Sequence, residues 1–140
     1  MASHIKSLCA QLARAYAGPE QRVELIVGTS DLHLDMNRAV SCGLIVNELV
    51  SNALKHAFPP GRPGCVRVLV EPLVGGRHVL RVQDDGVGLP PGFDVGRADS
   101  LGLQLVHDLA LQLHGTVAVT RDPGTTFAIT FDETRAASRR

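Results

Sequence analysis

Four polar side chains lie at helical spacing near the middle of the chain and could together hold a hydrated metal ion and a polyphosphate. Asn52 follows Glu48 by four residues, and Lys55 and His56 follow Asn52 by three and four. On a helix these residues share one side, which we call the polar stripe. A solvated helix face with an i,i+4 ion pair would explain the same spacing. Asn52 favours a site, because asparagine is a mediocre helix former that stands here in mid-helix.

A second candidate is Asp84, which ends a strand-like stretch and is followed by Gly86 and Gly88. Alternation along the stretch puts Leu80, Val82 and Asp84 on one apolar face. An ionised carboxylate on such a face is costly unless hydrogen-bond donors reach it. The two glycines would let a ligand approach the backbone closely. The alternative is that Asp84 only caps a turn before Gly86.

A third candidate is Gly102, in the first turn of a helix that we predict from residue 101 to residue 114. A glycine there leaves backbone amides uncovered at the positive end of the helix dipole, which is the geometry of a phosphate site. Capping of the helix by Asp99 or Ser100 would be a sufficient structural explanation of the same residues.

The elements that must position these residues alternate between helices and β-hairpins. Apolar periodicity predicts helices over residues 4–16, 37–58 and 101–114. Strands are predicted over residues 23–27, 65–71 and 77–84 and as a pair within 115–131, with turns at Gly75-Gly76 and Pro123-Gly124. This order indicates an α+β fold with helices on one face of a mixed sheet. We expect a single domain over residues 1–131 and a flexible tail over residues 132–140.

Composition limits the classes of function. A chain of 140 residues suits one domain with its own core. Its 14 basic and 14 acidic residues give no net charge, whereas a nucleic-acid binder normally carries a basic excess. With no apolar run of about 18 residues and no signal peptide, we expect a cytoplasmic domain that contacts neither nucleic acid nor membrane. Cys9, Cys42 and Cys65 lack metal or redox spacing and are predicted to be reduced core residues.

Four segments, in this order, resemble the motifs of the GHKL (Bergerat) ATP-binding fold. Residues 47–58, Asn-Glu-Leu-Val-Ser-Asn-Ala-Leu-Lys-His-Ala-Phe, resemble its asparagine box, and residues 84–89 resemble its D-x-G-x-G box. Residues 100–106 resemble the second glycine box, and residues 124–129 resemble the closing G-T-x-F strand. The match is nearest to the catalytic domains of bacterial sensor histidine kinases of an HWE-related subgroup. The resemblance implies a two-layer α/β sandwich with a mixed, mostly antiparallel sheet.

The resemblance also implies a role for each matching residue. Asn52 and Glu48 would hold Mg2+, and Lys55 would complete the catalytic set. Asp84 would accept a hydrogen bond from the adenine amino group. The other implied contacts with ATP are Lys55 and His56 at the phosphates or ribose, Gly86 and Gly88 at the base, Leu101, Gly102 and Leu103 at the phosphates, Thr126 near the adenine, and Phe93 in an ATP lid over residues 89–100.

The sequence departs from the family pattern in two places. Ser100 and Gln104 occupy the outer glycine positions of the second glycine box. The family carries its phosphoacceptor histidine on a helical dimerisation hairpin, and only one predicted helix precedes the first strand. The resemblance therefore implies a catalytic domain that transfers the γ-phosphoryl group of ATP to a histidine held elsewhere. A response regulator would be the downstream partner, and the isolated domain would be a monomer.

Two other functions stay open from the sequence. A serine kinase of the anti-sigma-factor type shares the fold, although the amino-acid sequence of residues 52–58 favours the histidine kinases. A nucleotide-sensing module that binds ATP without transferring phosphate is compatible with the altered second glycine box.

Overall fold

The computed structural model describes residues 7–11, 14, 22–29, 34, 36–54, 63–86, 101–120 and 124–132. Five strands and two helices are labelled here in chain order: β1 (Arg22–Thr29), α1 (Met36–Asn52), β2 (Pro63–Pro72), β3 (Arg77–Asp84), α2 (Leu101–Gln112), β4 (Thr116–Thr120) and β5 (Thr125–Asp132). Residues 7–11 and 14 are also helical, within the first predicted helix. Neither labelled helix of the described chain has both the length and the apolar character needed to cross a membrane.

The strands form one mixed sheet in the order β1-β2-β3-β5-β4. Strand β1 runs parallel to β2, and every other neighbouring pair is antiparallel. The predicted turn between β2 and β3 is present, and Gly75 and Gly76 both have positive φ angles, 83° and 77°. Only glycine adopts such angles without strain, so the turn explains both residues.

The helices pack on one face of this sheet. Alternate side chains of β2, β3 and β5 are buried against apolar residues of α1 and α2. The largest fully buried side chains are Phe131, Ile45, Leu80, Leu113 and Ile129. The opposite face of the central strands carries polar residues such as Arg67, Arg81 and Gln83. The predicted α+β architecture of two layers is therefore confirmed.

The bounds differ from the predicted ones where tertiary contacts extend an element. Strand β1 is longer than predicted, because it pairs with β2 along its whole length. Strand β5 ends at Asp132, one residue inside the predicted tail, and the Asp132 carboxylate pairs with Arg77 at 3.6 Å. Helix α1 ends at Asn52 and continues as a π-helical turn at residues 53–54. Residues 55–58, the predicted lid and the rest of the predicted tail lie outside the described residues.

The three cysteines are free thiols in different surroundings. Cys9 and Cys42 are each 1% exposed within the core, as predicted. Burial raises the pKa of Cys9 to about 11 and that of Cys42 to about 12, although the charge of Arg38 partly offsets the effect at Cys42. Cys65 is only half-buried, so its prediction as a core residue is wrong. It lies on the polar face of the sheet, because it alternates with the buried Val66.

Candidate functional site

Hydrogen bonds at one end of the molecule show how the helices run relative to the sheet. Arg38, in the first turn of α1, donates to the carbonyl oxygen of Leu113 at 3.2 Å and to the carbonyl oxygen of Asp132. Ser41 donates to the side chain of Gln112 at 3.5 Å. The start of α1 therefore lies at the end of α2 and at the end of β5. Since α1 and α2 pack along each other, they are antiparallel.

The opposite end of the molecule collects the motif residues. Helix α1 has 17 residues and is about 25 Å long, while β3 has 8 residues and is about 26 Å long. Arg77, at the start of β3, pairs with Asp132, and Asp84, at its end, pairs with Thr125. Asp84 and Thr125 therefore lie at the end of the sheet away from Asp132, and Asn52 and Leu101 lie at the ends of their helices away from Arg38. The topology directs the described parts of the four motifs to the same end of the molecule, which is the edge where we expect them to meet.

Asp84 has the predicted position at the end of the buried row of β3. It lies opposite Val66 and Thr125 in the sheet, on the face of Leu80 and Val82, and is half-buried. Its Oδ1 accepts the N–H of the buried Gly86 at 2.9 Å, which is the turn cap that the sequence left open. A carboxylate has about four acceptor sites. Capping the turn is therefore compatible with a further hydrogen bond to a ligand.

Thr125 is the residue that the sequence reasoning missed. It is 5% exposed and lies directly opposite Asp84, on the helix-facing side of the sheet. Thr126, for which the resemblance implies a place near the adenine, lies opposite Gln83, so its side chain faces the other side of the sheet from Thr125. The physical reason is the two-residue period of a strand. Strand β5 buries every second residue from Thr125 to Phe131, and this alternation could have identified Thr125 from the sequence.

The polar face of the sheet carries a cavity. Its volume is about 220 Å3, and its lining residues are Cys65, Arg67, Gln83, Thr126 and the adjoining Asp84, Asp85 and Gly124. Two of these residues are joined by hydrogen bonds, since the Oδ1 of Asp85 accepts the N–H of Cys65 at 2.8 Å and the N–H of Asp85 donates to the Cys65 carbonyl at 3.2 Å. Arg67, Gln83 and Thr126 point away from the helices, whereas Asp84, Asp85 and Gly124 belong to the motifs, so the cavity adjoins the end of the sheet that carries Asp84.

The structure describes the first two residues of the polar stripe, Glu48 and Asn52. Glu48 and Asn52 are both half-buried, whereas Val46 and Val50 are completely buried on the core side of α1. Ala53 and Leu54, which follow Asn52, are also buried. Lys55, His56, Gly88 and Phe93 lie outside the described residues. A carboxylate and a carboxamide thus stand in the last two turns of α1.

The donor set at this edge fits a magnesium ion that is bound mainly through phosphate. Within the described residues, no group of three or more His, Cys, Asp or Glu side chains could hold a metal ion. Mg2+ in proteins commonly takes one or two side-chain oxygens and completes its shell with substrate phosphates and water. Glu48 and Asn52 supply two such side chains, so they suit a metal that arrives with a nucleotide.

The beginning of α2 supplies groups for an anion. The helix begins at Leu101, as predicted, so Leu101, Gly102 and Leu103 form its first turn. The first amides of a helix have no partner within it, and they lie at the positive end of the dipole. The first turn contains no acidic residue that would repel an anion. The beginning of α2 therefore has the backbone geometry of an anion site.

Comparisons with known proteins show which family the chain is similar to. A family model described as histidine kinase-, DNA gyrase B-, and HSP90-like ATPase matches residues 37–135. The sensor histidine kinase PdtaS of Mycobacterium tuberculosis is 41% identical over 96 residues, which is 66% of this chain and 19% of the relative. Blue-light-activated histidine kinase 2 of Erythrobacter litoralis is 30% identical over 99 residues, 71% of this chain and 29% of the relative. The chain thus spans less than a third of the length of these relatives.

Solved structures show the same fold. The histidine kinase domain of the Erythrobacter litoralis EL346 blue-light activated histidine kinase has a TM-score of 0.86 and 25% identity, covering 94% of this chain and 60% of that one. The mycobacterial sensor histidine kinase MprB has a TM-score of 0.74 and 24% identity, covering 94% of this chain and 95% of that one. At that identity, the second comparison concerns the fold alone.

Proposed function

The chain belongs to the histidine kinase-, DNA gyrase B- and HSP90-like ATPase family, and we propose that it is the ATP-binding catalytic domain of a cytoplasmic sensor histidine kinase. What supports the proposal is the pairing of Asp84 with Thr125 at the end of the sheet away from Arg38, together with the end of α1 and the beginning of α2, which the topology directs to the same end. This edge offers an acceptor for a base, amides for phosphates and oxygen ligands for a cation. The similarity to PdtaS supports the choice of sensor kinases within the family.

In this proposal Asp84 and Thr125 bind the adenine. The Asp84 carboxylate accepts a hydrogen bond from the 6-amino group of the base, and Gly86 holds the carboxylate in place by donating to its Oδ1. The hydroxyl of Thr125, on the neighbouring strand, supplies a second polar group on the same side. Guanine carries a carbonyl oxygen in place of the amino group, so it would oppose one acceptor with another. The pair therefore selects ATP over GTP.

The phosphates lie between α1 and the first turn of α2. Backbone amides of Leu101, Gly102 and Leu103 donate to phosphate oxygens, since they have no partners inside the helix. Glu48 and Asn52 would hold the metal, and Lys55, which belongs to the polar stripe by its spacing, would complete the catalytic set. When bound, Mg2+ neutralises negative charge on the phosphates during transfer. The chain itself contributes by positioning the phosphates and by stabilising the charge that develops on them.

The acceptor histidine comes from outside this domain in our proposal. His78 begins the buried part of β3, at the end of the sheet opposite Asp84, and it is 6% exposed against Phe131. It therefore cannot meet a phosphate at the motif edge. A dimerisation hairpin, in the full-length protein or added separately, would carry the acceptor, and a response regulator would receive the phosphoryl group next.

The proposal is tested by a phosphotransfer assay with the chain, Mg2+, γ-labelled ATP and a separate helical hairpin that bears a histidine. We expect label on the hairpin that is stable in base and labile in acid, as a phosphohistidine is. A hairpin without the histidine and the Asn52→Ala variant of the chain serve as controls and should give no label. Label on a serine would identify a serine kinase instead, and ATP binding without transfer would identify a nucleotide-sensing module.

A further inference from the structure

Arg38 is a buried arginine at the end of the molecule far from the motif residues. It is 6% exposed, and its guanidinium donates to the carbonyl oxygens of Leu113 and Asp132, which lie at the ends of α2 and β5. One side chain of α1 thus connects three elements. Burying a charge costs free energy unless the charge is well hydrogen-bonded, so a buried arginine calls for a physical reason.

The bonds at the end of α2 show why an arginine is needed there. The N–H of Gly115 donates to the Ala110 carbonyl at 2.9 Å, and the N–H of His114 donates to the Leu111 carbonyl at 3.0 Å. With His114 at a φ of 57°, this is a Schellman ending. It satisfies the carbonyl groups of Ala110 and Leu111, and the carbonyl of Leu113, two residues further on, accepts a hydrogen bond from Arg38. Since α2 has no basic residue in its last turn, Arg38 also supplies the cation that complements the helix dipole.

We propose that Arg38 is a positioning residue for the phosphate site at the opposite end of α2. The inference rests on the proposed function, because it assumes that the first turn of α2 binds phosphate. Apolar packing of Val106 and Leu109 sets the depth of α2 over the sheet but has no direction along the helix axis. The hydrogen bond from Arg38 to Leu113 is directional and holds the helix against sliding and tilting.

The length of α2 turns a small change at its end into a large one at the site. Its 12 residues make it about 18 Å long. A tilt of about 3° around the end held by Arg38 would therefore move the first-turn amides by about 1 Å. A displacement of this size is enough to weaken hydrogen bonds to phosphate, because their strength depends steeply on geometry. The adenine contacts of Asp84 and Thr125 are on the sheet and would not move with the helix.

Because only the phosphate contacts should change, comparing the affinities for Mg·ATP and for adenosine separates a positioning role from a general loss of stability. Arg38→Met replaces the aliphatic part of the arginine side chain but removes both hydrogen bonds. Arg38→Lys keeps the positive charge but lacks the several N–H donors of the guanidinium group. Arg77→Met is the matched control, since Arg77 contacts the side chain of the same Asp132 from the surface. Val68→Ala, in the core of β2, is a control for a general loss of stability.

The measurements are the Kd values of Mg·ATP and of adenosine, and the amide NMR shifts of the first turn of α2 without ligand. We expect Arg38→Met to weaken Mg·ATP binding about tenfold, or about 1.4 kcal/mol, and adenosine binding less than about twofold. Arg38→Lys should fall between this variant and the wild type. The first-turn amides should shift in both Arg38 variants but in neither control.

Equal weakening of Mg·ATP and adenosine, or the same imbalance in Val68→Ala, would overturn the proposal. If the wild-type chain binds neither ligand, the proposed function fails, while the amide shifts still decide whether Arg38 positions α2. If Arg38→Met does not fold, Arg38→Lys decides the question on the same measurements, and unchanged first-turn amides in that variant would refute the positioning role.

Discussion

The backbone of Gly124 lies against the backbone of Asp84 so closely that a Cβ at position 124 would stand 1.9 Å from the Asp84 carbonyl oxygen. The same Cβ would be 2.8 Å from the carbonyl carbon of Asp84 and 2.9 Å from the Cα of Asp85. Backbone atoms cannot move aside as a flexible side chain could. The glycine before Thr125 is therefore required by the approach of β5 to the end of β3, which also puts Thr125 opposite Asp84.

Replacing Gly124 with alanine should destabilise the fold by about 3 kcal/mol, since the strands must separate to admit the methyl group. The measurement is the free energy of unfolding in urea. Gly76→Ala is the control: its φ of 77° is unfavourable for alanine, but a Cβ there would meet nothing within 4 Å. The control should lose only about 1 kcal/mol. Equal losses in the two variants would mean that β5 can shift away from Asp84 at little cost.

Asp84→Asn should weaken ATP binding at least about tenfold, because the amide lacks the charge that strengthens the bond to the adenine amino group. The side-chain oxygen of asparagine can still accept the N–H of Gly86, so the unfolding free energy should change little. Wild-type chain should prefer ATP over GTP by at least about tenfold, since two unpaired acceptors would cost on the order of 1–3 kcal/mol. Calorimetric titration with both nucleotides checks this. If ATP and GTP bind equally, Asp84 does not read the base.

Thr125 and Thr126 form a matched pair of neighbouring threonines on opposite faces of β5. Thr125→Val should weaken binding of adenine nucleotides by about three- to tenfold, the value of one lost hydrogen bond. Thr126→Val should leave affinity unchanged, because its side chain faces the cavity of Arg67 and Gln83. Valine has nearly the shape of threonine and favours strands, so both variants should fold. A loss of affinity at Thr126 alone would contradict the strand register.

Asn52→Ala should reduce magnesium-dependent nucleotide binding more than metal-free binding of ADP. The carboxamide is proposed as a ligand of the metal, which prefers oxygen ligands and retains several waters. Asn37→Ala is the control, since Asn37 is an exposed asparagine at the other end of the same helix. Titrations with and without magnesium measure the difference. An equal loss under both conditions would show that Asn52 has a structural role instead.

The buried thiols predict a loss of stability in alkaline solution. The pKa is raised to about 11 at Cys9 and about 12 at Cys42 by burial, whereas thiols in an unfolded chain ionise near about 8.5. Above that pH the unfolded chain binds fewer protons than the folded one, so the stability present at neutral pH is lost as pH rises. Each thiol should lower the unfolding free energy by about 1.4 kcal/mol per pH unit in this window. Urea unfolding across the window measures the slope, and an unchanged slope in Cys42→Ala would contradict the prediction.

The sequence by itself determined the order of the elements and the face of Asp84. Both follow from short-range rules, since a helix or strand exposes its core side at a fixed period. The motifs were recognisable for the same reason: each lies within a few consecutive residues of one element or turn. The buried side of Thr125 could have been predicted in the same way, because the alternation along β5 is local.

The tertiary structure alone decided which contacts hold the motifs together. Arg38 belongs by its spacing to the buried side of α1 with Cys42 and Ile45, yet its partners are 75 and 94 residues away. The requirement for Gly124 likewise arises from a strand that lies 40 positions earlier in the chain, at Asp84. Local periodicity indicates only that a position is buried or exposed. The element that covers it is selected by how the whole sheet and both helices pack, because burial of apolar surface has no preferred direction of its own.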